Sequence, residues 1–156
     1  MKLFLVQHAL AYSKQDDPER SLTPIGIESL EKIVHFTKKQ LNPQISCIFH
    51  SGKKRAQQTA EIIARILHPA TEVRSTTGLN PSDDPQIWFQ KLIGVDDNIM
   101  IVGHLPHLNR FAQLLLEQEG EKTSIDFQNA GIVCLEKYSE TKWVVVLEIL
   151  PNMIEK

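Results

Sequence analysis

The chain has 156 residues, 42% hydrophobic and 23% charged, with a formal net charge of −2. That is enough apolar chain for a single domain over residues 1–156, while the near-neutral balance excludes long-range attraction to nucleic acid or an anionic membrane. No apolar stretch approaches the about 20 residues of a membrane span, and the N-terminus lacks the basic region, apolar core and cleavage site of a signal peptide. Cys47 and Cys134 both fall in apolar runs. The expectation is a cytoplasmic protein with two reduced core thiols.

Leu3 to Val6 is a short, unbroken apolar run that ends abruptly in Gln7 and His8. Such a run predicts a strand buried on both faces of a parallel sheet. The polar stretch from Tyr12 to Ser21 belongs on the surface. Thr23-Pro24 then supplies an N-cap and a proline at the first helical position. Leu30, Ile33, Val34, Thr37 and Leu41 follow at helical spacing, and Asn42-Pro43 ends the helix.

The second strand is predicted from about Ile45 to Phe49, delivering His50 and Ser51. Ser51 is expected to cap a helix with an apolar stripe of Ala56, Ala60, Ile63 and Leu67, stopped by Pro69. Thr71 to Arg74 is a short candidate strand. Ser75 to Asp83 reads as a loop, and Asp84-Pro85 starts a short helix through Ile93. Asn98 to Val102 is the next buried strand, delivering Gly103 and His104. Pro106 opens a helix through Leu116, and Gly120 to Thr123 reads as a turn. Gly131 to Tyr138 and Lys142 to Leu150 alternate as two strands joined by a hairpin at Ser139-Glu140-Thr141. Strands alternating with helices predict an α/β three-layer sandwich. Its central sheet is mostly parallel, with helices on both faces and a C-terminal antiparallel hairpin.

Ligands of open α/β sheets bind at the carboxyl ends of the strands. If the three buried strands are parallel, His8, Arg55 and His104 gather at one such edge. Ser51-Gly52-Lys53-Lys54-Arg55 places three cations at a helix start, the wrong end of the helix dipole, at a cost of about 0.3–1 kcal/mol each. Lys53 and Lys54 read as a solvated run. Arg55 precedes the inward-facing Ala56, and a bound anion would remove its conflict with the dipole.

Four segments together resemble the histidine phosphatase superfamily, and most closely its compact SixA-type phosphohistidine phosphatases. They are Gln7-His8-Ala9, Leu22-Thr23-Pro24-Ile25-Gly26, Ser51 to Ala60 with Arg55, Gln58 and Thr59, and Val102-Gly103-His104-Leu105-Pro106. The resemblance implies that His8 attacks phosphorus and carries the phosphoryl group covalently, while Arg55 and His104 hold the transferring oxygens. Gln7, Arg20 and Ser51 become substrate-binding candidates. No metal or cofactor is implied, and His104-x-x-His107 has no carboxylate or cysteine to complete a metal set.

The chain departs from the family pattern at two places. Gln7 stands where relatives have arginine, offering neutral donors in place of charged ones; Arg20 is the candidate replacement. Gly78 stands near the glutamate acid of many relatives. The implied activity is hydrolysis of phosphohistidine on a protein, such as a phosphotransfer domain in signalling. The alternatives are a non-catalytic binder of phosphate or phosphohistidine, and a phosphatase of a small metabolite. A Cys-x5-Arg phosphatase is set aside, because the count from Cys47 reaches Lys53.

Overall fold

The computed structural model describes residues 1–116 and 125–154. The apolar runs form β1 (Lys2–Gln7), β2 (Cys47–His50), β4 (Ile99–Gly103), β5 (Ile132–Ser139) and β6 (Lys142–Ile149), with a two-residue β3 (Arg74–Ser75). Among the described residues four helices intervene: α1 (Pro24–Leu41), α2 (Lys54–Leu67), α3 (Gln86–Lys91) and α4 (His107–Leu116). A 3-10 turn at Pro151–Met153 follows β6. The six strands make one sheet in the order β3-β2-β4-β1-β5-β6. The first four of these run parallel, and β5 runs antiparallel to both of its neighbours, β1 and β6.

Side chains alternate across a strand, so one apolar run feeds two cores. Phe4 and Val6 pack with Leu30, Ile33 and Val34 of α1 and Ala60 and Ile63 of α2. Leu3 and Leu5 pack on the opposite face with Trp88 of α3 and Leu108, Phe111 and Leu115 of α4. This is the expected three-layer sandwich. Cys47 and Cys134 are free and buried, and burial pushes the Cys134 thiol up to about 11. No described helix is long and apolar enough to cross a membrane.

Local chemistry explains most element ends. Thr23 accepts from the Gly26 amide at 3.0 Å with Pro24 behind it. A Cβ on Gly26 would run into the Leu10 carbonyl oxygen, so only glycine lets α1 lie against the segment leaving β1. Asn42 closes α1 in the left-handed conformation.

Two expectations need correction. Ser51 does not cap α2: the helix starts at Lys54, too far along for Ser51 to be its N-cap, and the N-cap, Lys53, makes no side-chain cap bond. The predicted strand at Thr71–Arg74 shrinks to Arg74–Ser75, since Ala70 and Thr71 bond the segment leading into β2 irregularly before regular pairing begins. Asp83 closes the loop before α3 by accepting from the Asn80 amide, and Asp84 accepts from the Gln86 amide. The turn read at Gly120 to Thr123 lies outside the described residues.

Candidate active site

Sheet register brings the three strand ends level. Gln7 pairs with Gly103 across β1 and β4, and His50 pairs with Val102 across β2 and β4. The next residues, His8, His104 and Ser51, therefore leave the sheet side by side. The His8 and His104 ring centroids are 5.1 Å apart, with the planes tilted by 52°.

His8 is fixed at three points. Its amide donates to the Gly103 carbonyl at 3.1 Å, and its own carbonyl accepts from Asn129 Nδ2 at 2.8 Å. Its Nδ1 lies 2.8 Å from the Ala9 carbonyl oxygen. A carbonyl can only accept, so Nδ1 carries the hydrogen and Nε2 carries the lone pair. Burial pushes the His8 pKa down to about 4. The Ala9 bond opposes this shift, while Arg55 and Arg20 reinforce it.

His104 is buried, and its Nε2 sits 2.6 Å from Ser51 Oγ. Burial, followed by His8, Arg55, Lys53 and His107, holds its pKa down to about 3. Ser51 Oγ also accepts from the Lys53 amide at 3.3 Å, which ties the start of α2 to the His104 ring.

Arg55 sits in the first turn of α2. Burial, and then the nearby Arg20 charge, lowers its pKa. No described carboxylate forms an ion pair with it. Thr59 locks this turn to the His8 segment: its hydroxyl donates to the Arg55 carbonyl at 2.7 Å and accepts from the Ala9 amide at 3.0 Å. Gln58 Oε1 accepts from the Leu22 amide at 2.8 Å, anchoring the loop that carries Arg20. Arg20 has a left-handed backbone, φ 54°, and its Nε donates to the Tyr12 carbonyl.

The cluster is incomplete in hydrogen bonding. Gln7 Oε1, Arg55 Nε and His104 Nδ1 are buried without a partner, each at a cost of about 1–3 kcal/mol if left so. A lone-pair nitrogen beside a half-buried guanidinium that no described carboxylate pairs suits a ligand that is both an anion and an electrophile.

The structure thus brings His8, Arg55, His104, Gln7 and Ser51 together, with Arg20 close enough for its charge to act on His8 and Arg55. Asn129 went unnoticed in the sequence, because nothing local marks a residue 121 positions from its partner. The larger cavities of the described chain lie elsewhere. Two, of about 470 Å³ each, share Gln44 and Asn98 near the amino ends of β2 and β4.

Holding two histidines neutral links stability to pH. The ordinary histidine value is 6.5, against about 4 for His8 and about 3 for His104. The unfolded chain therefore takes up protons that the fold refuses. The contribution is complete above about pH 6.5 and is lost as pH falls through 4 and toward 3. The melting temperature should drop from pH 7 to 4, and less steeply in a His8→Asn/His104→Asn variant. A double variant as steep as the parent would assign the loss to other groups.

No family model matches the chain. It is 31% identical over 144 residues to an uncharacterized protein from Picosynechococcus sp., an alignment covering 86% of this chain and 84% of that one. Its structure superimposes on the protein histidine phosphatase SixA complexed with tungstate at a TM-score of 0.87, covering 99% of this chain and 100% of that one at 22% identity. A mycobacterial glucosyl-3-phosphoglycerate phosphatase in complex with VO3 matches at 0.68, covering 94% and 97% at 14% identity. The chain belongs to one family with the Picosynechococcus protein, and its fold is that of SixA.

Proposed function

We propose that this protein is a phosphohistidine phosphatase working through a phosphorylated His8. The observation that carries the reading is the His8 tautomer: an Nε2 lone pair on a neutral ring, facing a cluster with unpartnered polar groups. His8 Nε2 attacks phosphorus. As the new N–P bond forms, the substrate's P–N bond breaks and its electron pair stays on the leaving imidazole. Water then attacks the phosphoenzyme, inorganic phosphate leaves, and the lone pair returns to Nε2. Arg55 and His104 hold the non-bridging oxygens, and a bound dianion pulls the His104 pKa back up, so that ring takes a proton as the ligand enters. Positioning and charge stabilisation are the main demands of phosphoryl transfer.

Gly78 supports a phosphoramidate over a phosphate ester. Its φ is +89°, and a Cβ there would meet Ile87 Cγ2 at 2.8 Å and Trp88 Cδ1 at 3.1 Å. As packed, this position cannot carry the acid that an alkoxide leaving group needs, whereas an imidazole nitrogen is a much better base. The likeness to SixA supports the same substrate class.

The deciding experiment is to incubate the protein with radiolabelled phosphohistidine and quench by denaturation. An acid-labile, base-stable label on the chain is expected; its absence during turnover would exclude the covalent route. Gln7 favours a second reading, a phosphohistidine-binding module, because no charged donor stands beside the nucleophile at that position.

Oxyanion binding follows from either reading. Tungstate or phosphate should raise the melting temperature, by the equivalent of about 2.7 kcal/mol at about 100 times Kd. Arg55→Ala should abolish that shift. A melt unmoved by millimolar oxyanion, or an equal shift in Arg55→Ala, would refute the pocket.

A further inference from the structure

α3 ends at Lys91, and beyond it the β3 edge of the sheet is left partly open. A cavity of about 390 Å³ lies there, between β2, the strand edge at Arg74 and the carboxyl end of α3. Its floor is apolar: Cys47, Trp88, Leu92 and Ile99 all line it and all are buried. Phe49 stands beside Trp88, with ring centroids 5.0 Å apart. Trp88 Nε1 already donates to the Thr77 carbonyl at 3.1 Å, so the indole has no donor left to offer a ligand. The wall made by residues 92–95 is held from behind. Lys137 Nζ donates to the Leu92 and Val95 carbonyls at 3.2 and 2.8 Å, and Glu140 accepts from the Gly94 amide at 3.1 Å. A wall pinned at three points makes a pre-formed pocket, and its volume falls in the range of about 300–1,000 Å³ that small-molecule sites occupy.

Positive charge gathers at one end of this cavity. Arg74 pairs with Phe49, toward the carboxyl ends of the strands. Lys91 Nζ lies 3.5 Å from Thr76 Oγ1 and 4.9 Å from the centre of the Trp88 ring. The aromatic face therefore holds the ammonium at the mouth of the cavity. No described carboxylate forms an ion pair with Lys91 or Arg74. Asp97 also lines the cavity, but it precedes β4 and so stands toward the amino ends of the strands. The two ends of the cavity thus differ in sign.

We propose that this cavity binds a small organic anion, a carboxylate with an aromatic or branched aliphatic body, at a site separate from the His8 cluster. None of His8, Arg55 or His104 lines it. The carboxylate sits between Arg74 and Lys91, and the body lies on Phe49, Leu92 and Ile99. A neutral isostere fills the same space but leaves both cations without a counter-charge. An inorganic oxyanion meets the cations but buries none of the apolar floor. The site selects for a ligand that carries both properties.

The test titrates cinnamate, and separately its neutral amide, into the isotope-labelled full chain and follows amide and indole N–H signals by NMR. The chain has two tryptophans, so the Trp88 indole can be assigned from a Trp143→Phe variant. Cinnamate should shift Trp88 and the amides of residues 91–95 saturably. It should bind about five- to tenfold more tightly than cinnamamide, the gap between charge-assisted and neutral hydrogen bonds. The double variant Arg74→Gln/Lys91→Gln should erase that preference, while Lys91→Arg keeps it. Both side chains are exposed, so folding is not at risk. Equal affinity for acid and amide in the parent would overturn the proposal, as would a preference that survives the double variant. Shifts confined to the surroundings of His8 and Arg55 would assign the anion to that cluster and overturn it too. Trp88 signals that move with protein concentration and not with cinnamate would place a second copy on this face instead. No saturable shift at millimolar cinnamate would leave the cavity without the proposed ligand and end the proposal.

Discussion

His8→Ala should remove both turnover and the acid-labile phosphoenzyme while leaving the fold in place. The ring contributes one side-chain hydrogen bond, to the Ala9 carbonyl, whereas the backbone of residue 8 keeps its bonds to Gly103 and Asn129. The structural cost is therefore about one neutral hydrogen bond, roughly 0.5–1.5 kcal/mol, offset by relief of a buried imidazole. The chemical cost is far larger. Deleting the residue that makes the covalent bond leaves only ligand positioning, and losses beyond about 10⁴-fold are expected. His104 Nε2 is engaged by Ser51 Oγ. The check is kcat/KM on phosphohistidine, together with label trapping and a thermal melt. Hydrolysis at the parent rate in a folded His8→Ala protein would refute the nucleophile.

Gln7→Arg should raise activity. Gln7 ends β1 beside His8, and its Oε1 is buried without a partner, so this position holds an acceptor where an anion wants donors. Arginine would bring a charged, bidentate donor. A full transition-state donor is worth about 2.7–4 kcal/mol, or 10²–10³ in rate. The Gln7 amide supplies part of that, so the gain should be about ten- to a hundredfold. The competing arrangement is that Arg20 already does this work; its charge acts on both His8 and Arg55. In that case Gln7→Arg crowds cations together and changes little, and Arg20→Ala is the crippling substitution. Measuring kcat/KM for both single variants and the double variant separates the two. No turnover in the parent or in Gln7→Arg, with oxyanion binding intact, identifies a binding module.

The strand ends were legible in the sequence because burial on both faces forces unbroken apolar runs, and the first polar residue after each run marks the sheet edge. Thr23-Pro24 and Asn42-Pro43 were legible for the same reason, since capping is local chemistry. Ser51 misled because its hydroxyl, besides accepting from the Lys53 amide, bonds a ring that another strand delivers, His104. Asn129 and the crowding at Gly78 were hidden because each depends on what the fold delivers from elsewhere. Gln58 and Thr59 are instructive in another way. They stand in the motif beside Arg55, yet their bonds go to Leu22, Ala9 and the Arg55 carbonyl, so they act as joinery for the loops that carry the reactive groups.

The grip of Asn129 on the His8 carbonyl, with the Ala130 amide on the Gln7 carbonyl, also orders events in time. His8, Arg55 and His104 all lie within the first two thirds of the chain, but the segment bearing His8 gains these two bonds only when residues just before β5 arrive. During synthesis, an emerging chain thus exposes His8, Arg55 and His104 well before it can hold them in working register. On the proposed chemistry, this brace arrives late, with the last third of the polypeptide, and a prematurely terminated product carries His8, Arg55 and His104 without it.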